Sequence, residues 1–277
     1  MKKIISRSFL MIFLFTGIFK VLEQVNWISI LKIEDKIRYL ENKTGDIFLN
    51  DISQHYEVES DSIINHTINT LFYQLCISNK LNSSDFKIYL IKNQDINAIA
   101  LPGKNIVINS GLISKTESEA EMAGIIAHEI AHIKLNHVSE RFAREAGLTT
   151  LIFMSTGNTD IGLIHNTIKL LATTALDRES EFEADQLAVK YLINANFNPV
   201  DFSKLLLRIS TNNTEPDIIW LSTHPASIER ANKIILISNK HKKKYFNVFS
   251  KEEWQKIVKN KDFSQSISKL HTSYKNS

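Results

Sequence analysis

The chain has 277 residues, of which 43% are hydrophobic and 23% charged, as is usual for a folded globular protein. Its formal net charge is +3 and no stripe of basic residues interleaved with aromatic ones occurs, so we expect no nucleic acid partner. Cys76 is the only cysteine, which excludes an internal disulfide and a zinc knuckle of the CxxC type.

The N-terminus carries the pattern of an export segment. Three basic residues precede the apolar run "FLMIFLFTGIF" at 9–19. A basic start followed by a short apolar run is typical of a signal peptide, and a membrane span needs about 20 residues unless the flanking cations snorkel. We predict that residues 1–21 form a signal peptide or an N-terminal membrane anchor, with a buried helix as the third alternative. The chain is then exported, and is periplasmic or membrane-anchored facing outside the cytoplasm.

The first half of the chain predicts helices followed by a small sheet. Residues 22–60 form a mixed polar and apolar helical entry segment, and apolar residues at helical spacing predict a helix over 61–81. The stretch "FKIYLI", 86–91, is typical of a strand. Two β-branched runs around a Pro-Gly turn predict a hairpin over 97–113, with "NIVINS" as its second strand.

The second half is predicted to be almost entirely helical. A long helix is predicted over 115–145, with Thr116 and Glu119 as its capping box. Further helices are predicted over 148–156, 161–176 and 177–194, from Pro199, after Pro225, and over 250–260 with a Ser250–Glu253 capping box. The fold class is therefore α+β and mostly helical, with one main domain at 61–240 and a C-terminal helix and tail at 241–277.

The stretch "AHEIAHIKLNH", 127–137, holds three of the nine histidines. At about 100° per residue, His128 and His132 lie about 40° apart on one helix face, so both imidazoles can reach one metal ion. Glu129 lies at the edge of that face, where it can act as the general base of an HExxH motif. His137 is predicted to lie about 180° from His128 on the same helix, so we assign it to packing or to the surface.

Two histidines do not complete a catalytic zinc site, which uses three protein ligands and one open position. The stretch "ESEFEADQLAV", 179–189, offers Glu181 as the third ligand. Asp185 follows one turn later on the same face, where it can accept the N–H of a ligating imidazole. Glu179 and Glu183 compete with Glu181 for the ligand role, but both lie off that face.

The pairing of "HEIAH" with "EFEAD" resembles the zinc metallopeptidases related to the heat-shock protease HtpX and the CAAX-prenyl endopeptidases. The resemblance covers roughly residues 60–240. The stretch "NAIALPGKNIVINSGLI" resembles the edge-strand segment of that family, and "THPASIER" resembles its His-Pro…Arg element, here His224, Pro225 and Arg230. The family often has Ser-Arg where this chain has Asp177-Arg178, which puts no ligand in doubt.

The resemblance implies a zincin-like catalytic domain with a small β-sheet beside the HExxH helix, and one Zn²⁺ per chain. It places His128, His132 and Glu181 on the metal, with Asp185 and Arg230 supporting them. For His224 three roles stay open. It can be a helix cap or surface residue, a donor to the transition state, or an occupant of the open zinc position.

These residues and the resemblance together imply a zinc-dependent endopeptidase that acts on unfolded or flexible protein segments, in protein quality control at the cell envelope. An extended polypeptide substrate could pair by β-augmentation with the strand Asn105, Ile106, Val107, Ile108 and Asn109. Membrane association through the N-terminus is expected. The alternative is a non-proteolytic, zinc-bound chaperone or assembly factor on the same fold.

Overall fold

The computed structural model describes residues 33–59, 61–142, 144, 176–211, 220, 223–225, 228–241, 243–245 and 247–259. The chain divides into two compact units, Met1–Leu40 and Glu41–Ser277. Of the first unit only the start of one helix is described; the predicted export segment at 1–21 lies outside the described residues. No helix within the described ranges is both long and apolar enough to cross a membrane. The site described below lies in the second unit.

The fold is α+β and mostly helical, as the sequence predicts. The strands are β1 (Lys87–Ile91), β2 (Ala98–Leu101) and β3 (Asn105–Asn109). The helices are α1 (Ile33–His55), α2 (Ser62–Ser78), α3 (Ser110–Lys115), α4 (Glu119–Lys134), α5 (Arg178–Asn194), α6 (Pro199–Thr211), α7 (Ile228–Asn239) and α8 (Lys251–Lys259). The Ser250–Glu253 capping box of α8 is confirmed by hydrogen bonds in both directions, at 2.9 and 3.2 Å. The predicted helices over 148–156 and 161–176 fall almost wholly outside the described residues.

The sheet has three strands in the order β1-β3-β2. β2 and β3 form the predicted antiparallel hairpin, and Gly103, with φ +76°, permits its tight turn. β1 joins β3 in parallel, so β3 is the central strand. Both faces of the sheet are covered. Ala98, Ala100, Ile106 and Ile108 join the main core, whereas Ile99, Leu101 and Val107 pack with Phe48 and Ile52 of α1.

Helix α4 runs through the main core, and every residue from Glu119 to Ile133 is buried. It packs against α2, α5, α6 and β2. A side chain at Gly124 would come within 2.6 Å of Phe202, so this glycine allows the close approach of α6. The motif "HEIAH" therefore lies inside the protein, next to β2.

The predicted bounds of α4 are wrong at both ends. Its N-cap is Ser118, whose hydroxyl accepts from the N–H of Glu121, whereas Thr116 ends the preceding helix α3. At the other end, α4 stops at Lys134, Asn136 adopts φ 63°, and residues 137–142 form a separate helical stretch rather than a continuation of α4. Asparagine tolerates this left-handed conformation, which turns the chain back towards the helix.

The N-terminus of α4 is covered by the C-terminal segment that carries α8. Trp254 is fully buried and donates to Thr116 Oγ1 at 3.0 Å. Glu119, the first residue of α4, is 2% exposed and accepts the backbone N–H of Val248 at 2.5 Å. Burial raises the pKa of Glu119 from 4.5 to about 7, although the N–H groups of Val248 and Phe249 act in the opposite direction.

The raised pKa of Glu119 gives a stability prediction with a defined sign. Between pH 4.5 and 7 the folded state binds more protons than the unfolded state, so its stability falls as pH rises through this window. Glu119→Gln stays neutral and keeps an acceptor oxygen. We expect its free energy of unfolding in urea to exceed that of the wild type by up to about 3 kcal/mol at pH 8, and to equal that of the wild type at pH 4. An equal difference at both pH values would show that the carboxyl group does not titrate in this range.

Candidate metal centre and catalytic site

The two histidines of "HEIAH" meet Glu181 inside the protein. His128 Nε2 and His132 Nε2 lie 3.0 Å apart. Glu181, from α5, places Oε2 3.5 Å from His128 Nε2 and Oε1 3.4 Å from His132 Nε2. All three side chains are at most 1% exposed. Helical spacing thus brings two imidazoles to one face of α4, and α5 supplies the carboxylate opposite them.

These donor atoms fit a single zinc ion. With zinc–ligand bonds of about 2.0–2.1 Å, neighbouring ligand atoms of a tetrahedral site lie about 3.3 Å apart. The two imidazole nitrogens are 3.0 Å apart, and each has one of the two Glu181 oxygens at 3.4 or 3.5 Å, all close to that value. Two imidazole nitrogens and one carboxylate oxygen are also ligand types that zinc prefers.

Asp185 and Arg230 surround this cluster, where the sequence analysis placed them. Asp185 Oδ1 lies 3.1 Å from His128 Nδ1, the ring nitrogen that faces away from the cluster. Arg230 donates from Nε and Nη2 to Asp185, at 2.7 and 2.8 Å, and its Nη1 is paired with Glu181 Oε2. The guanidinium group therefore fixes both carboxylates of α5.

Burial and close neighbours shift the pKa values of the clustered groups in both directions. Burial alone would lower the pKa of His128, but hydrogen bonds to Asp185 and Glu181 outweigh it and raise the pKa to about 9. Burial and the neighbouring His128 hold the pKa of His132 well below its usual value. Burial alone would raise the pKa of Glu181, yet His224 and Arg230 hold it well below the usual range. Glu181 is thus a carboxylate at neutral pH, as a metal ligand must be.

Glu129 lies beside the cluster and is fully buried. Its Oε2 accepts the backbone N–H of Ala100 at 2.8 Å, and its Oε1 accepts the indole N–H of Trp220 at 3.4 Å. Sequence reasoning did not identify Trp220 or the Ala100 N–H as partners of Glu129. Both contacts are tertiary, and neither residue type signals such a role.

His224 completes the site from the chain segment that precedes α7. Its Nδ1 lies 2.9 Å from Glu181 Oε1 and its Nε2 lies 3.6 Å from Glu129 Oε1. It is 2% exposed, so a surface position is excluded. One ligand atom from each of His128, His132, Glu181 and His224 can be chosen so that all four lie within 4.8 Å of one another. His224 is thus within reach of a metal held by the other three residues.

The predicted substrate strand is in the wrong place. Asn105–Asn109 is β3, whose two edges are paired with β1 and β2, so it cannot add another strand. The edge beside Glu129 belongs to β2, because the N–H of Ala100 points to the Glu129 carboxylate. Asn97 O accepts from Asn109 N–H, so by alternation Ala98 and Ala100 direct their backbone groups away from β3. The Pro-Gly turn predicted the hairpin but not which of its strands faces α4.

His137 is buried, and not where a continuous helix would place it. Because α4 ends at Lys134, His137 folds back, and its Nδ1 lies 3.0 Å from Nδ1 of His132. Its Nε2 lies 3.1 Å from Oε2 of Glu183, whose side chain is 54% exposed. His137 is therefore not among the clustered ligands, as predicted, but the 180° placement was wrong.

Comparison with known proteins gives a family for residues 49–236, which match the model described as "Peptidase family M48". The chain is 27% identical over 201 residues to the beta-barrel assembly-enhancing protease of Escherichia coli (strain K12), covering 67% of this chain and 41% of that protein. It is 27% identical over 157 residues to the mitochondrial metalloendopeptidase OMA1 of Schizosaccharomyces pombe (strain 972 / ATCC 24843), covering 54% of this chain and 47% of that protein. The chain thus spans less than half the length of these curated relatives.

Proposed function

Because the chain belongs to peptidase family M48, we propose that it is a zinc-dependent endopeptidase that cleaves unfolded or flexible segments of proteins. The observation that carries this proposal is the convergence of the donor atoms of His128, His132 and Glu181 beside the buried carboxylate of Glu129. A structural role alone would not explain a fully buried carboxylate next to three converging metal-binding groups.

Zinc in this site would supply a Lewis acid that polarises a peptide carbonyl and acidifies water to a pKa near 7. Glu129 would take the proton of the attacking water and later deliver it to the leaving amine. Its Oε1 is the better base, because Oε2 already accepts the short hydrogen bond from Ala100 whereas Oε1 has only the longer contact with Trp220. Asp185 and Arg230 would hold His128 and Glu181 in their binding orientations.

The substrate is proposed to pair with the edge of β2 that faces away from β3, rather than with β3 itself. This strand lies next to Glu129, and Ala98 and Ala100 turn their backbone groups to that side. All four residues of β2 are buried. Trp220 lies just before this strand, since its backbone N–H donates to Ile96 O at 3.0 Å, and its indole N–H faces Glu129, so a substrate on this edge would have to displace Trp220.

This closed arrangement favours the gating role of His224 over the donor role. Its backbone N–H donates to Trp220 O at 2.8 Å, and its ring contacts Glu181. The hydrogen bond to Trp220 thus ties the imidazole that lies among the metal ligands to the residue beside β2. A resting site of this kind would limit cleavage until Trp220 and His224 move away.

His224→Ala is therefore expected to raise activity on an unfolded protein such as casein more than about twofold, with zinc retained. His241→Ala, at an exposed histidine beyond α7, is the matched control and is expected to behave like the wild type. A fall in kcat of about 10²–10³-fold would instead assign His224 to the transition state as a hydrogen-bond donor. A change below twofold in either direction would remove His224 from the mechanism.

The alternative is a non-proteolytic, zinc-bound chaperone or assembly factor. The ligand set together with Glu129 disfavours it, because a chaperone needs no general base. Casein cleavage with and without 1,10-phenanthroline separates the two. We expect cleavage that the chelator abolishes and added zinc restores; zinc binding without any cleavage would favour the alternative.

We propose that the protein acts at the cell envelope, with residues 1–21 as its export signal or anchor. The likeness to a beta-barrel assembly-enhancing protease supports this setting and a role in protein quality control. A reporter enzyme fused after residue 30 should be exported. Recovery of all the reporter activity in the cytoplasm would refute the location.

A further inference from the structure

A chain of hydrogen bonds leads from the metal site to the protein surface through His132. Nδ1 of His132, the ring nitrogen facing away from the cluster, lies 3.0 Å from Nδ1 of His137. Nε2 of His137 lies 3.1 Å from Oε2 of Glu183. His132 and His137 are 1% and 4% exposed, whereas the Glu183 side chain is 54% exposed.

The carboxylate of Glu183 determines which nitrogens in this chain carry protons. A carboxylate can only accept, so Nε2 of His137 carries a hydrogen, and the neutral ring then has its lone pair on Nδ1. Two Nδ1 atoms 3.0 Å apart require one shared proton, which must come from His132. The lone pair of His132 is thereby left on Nε2, which is the atom that faces His128 and Glu181.

We propose that His137 and Glu183 are positioning residues that fix the metal-binding tautomer and ring orientation of His132. They would do for His132 what Asp185 does for His128. The inference rests on the proposed function, because it takes His132 to be a zinc ligand. Metal-ligating imidazoles characteristically donate their second N–H to such a partner.

The fold provides this arrangement through the early end of α4. The helix stops at Lys134, and the left-handed Asn136 turns the chain so that the next residue, His137, returns to His132. Glu183 lies on α5, two residues after Glu181, and so reaches the same imidazole chain from the outside. A buried histidine that merely filled space would not need an acidic partner at the surface or face a metal ligand with its second nitrogen.

Glu183→Lys tests the proposal from the surface without altering the core. A lysine donates where the carboxylate accepts, so Nε2 of His137 would become the acceptor and the hydrogen of His137 would move to Nδ1. That hydrogen would point at the hydrogen on Nδ1 of His132, and His132 could no longer keep its metal-binding tautomer. We expect zinc affinity to fall about 10–100-fold, measured at fixed pH by competition with a chromophoric chelator. Glu179→Lys is the matched control, since it makes the same charge change at an exposed position on the same helix, and it should stay within about twofold of the wild type.

Three further variants separate hydrogen bonding from charge and from packing. Glu183→Gln keeps an acceptor oxygen and should retain most of the affinity. His137→Gln can both accept and donate, so it should also retain most of the affinity, whereas His137→Phe fills the space without either function and should lose it. Thermal unfolding of the metal-free variants shows whether each one folds.

Tautomers can be read directly from ¹⁵N spectra of the protein with labelled histidine, with no need for activity. We expect His132 to carry its hydrogen on Nδ1 in the wild type and on Nε2 in Glu183→Lys. Unchanged tautomers, or wild-type zinc affinity in both Glu183→Lys and His137→Phe, would overturn the proposal. Absence of stoichiometric zinc from the wild type would instead refute the proposed function, and the tautomers of the metal-free protein would then still test the hydrogen-bond chain.

Discussion

Glu129→Gln is expected to retain zinc and the fold while losing about 10²–10⁴-fold in proteolysis. An amide has no basic oxygen of useful strength, so it cannot take the proton of the attacking water. The substitution is nearly isosteric, and the amide oxygen can still accept the N–H of Ala100, whose nitrogen lies 2.8 Å from Glu129 Oε2 in the wild type. The amide NH₂ would then face the indole N–H of Trp220, a donor facing a donor, at a cost of about 1–3 kcal/mol in stability.

The measurement is casein turnover together with zinc content after dialysis. Glu119→Gln is the matched control, because it makes the same change at another buried glutamate of the same helix. The control should keep wild-type turnover. If Glu129→Gln kept more than about a tenth of it, Glu129 would not be the general base. A loss of zinc along with activity would also contradict the assignment, because Glu129 is not proposed as a ligand.

The features predicted correctly are those that depend on helical periodicity. The spacing of His128 and His132, and that of Glu181 and Asp185, determines which side chains share a face once the segments are helical. Both segments are strongly helical in sequence, and the structure brings the two faces together. The supporting role of Arg230 came only from the family resemblance, and its pairing with Asp185, 45 positions away, was not predicted.

The features predicted wrongly depend on where elements end and how strands pair. The position of His137 was misjudged because one left-handed residue, Asn136, ends α4 within a stretch of good helix formers. An asparagine two residues before the buried Val138 is a weak stop signal, and tertiary contacts decide whether it is used. β3 was taken for an edge because its parallel partner β1 lies on the other side of β2 in the chain, and such pairing leaves no local pattern.

Glu181→Ala is expected to lose zinc more completely than any other single change except loss of a ligating histidine. It removes a ligand and also takes one buried partner each from Arg230 and His224, since Arg230 Nη1 and His224 Nδ1 both contact this carboxylate. Removing one member of a buried ion pair costs about 3–5 kcal/mol, so the metal-free variant should also melt at a lower temperature. Thermal unfolding of the metal-free proteins measures this second effect separately.

A graded series distinguishes ligand loss from general destabilisation. Asp185→Asn keeps Glu181 in place and should lower zinc affinity by about 10–100-fold, the usual cost for a residue that orients a ligand. Glu181→Ala should exceed that range. Glu179→Ala, on the exposed side of α5, should bind zinc like the wild type.

If His224 occupies the metal at rest, Glu181→Ala leaves three histidines and some residual zinc affinity, which the added change His224→Ala should abolish. Equal zinc content in Glu181→Ala and the wild type would refute Glu181 as a ligand.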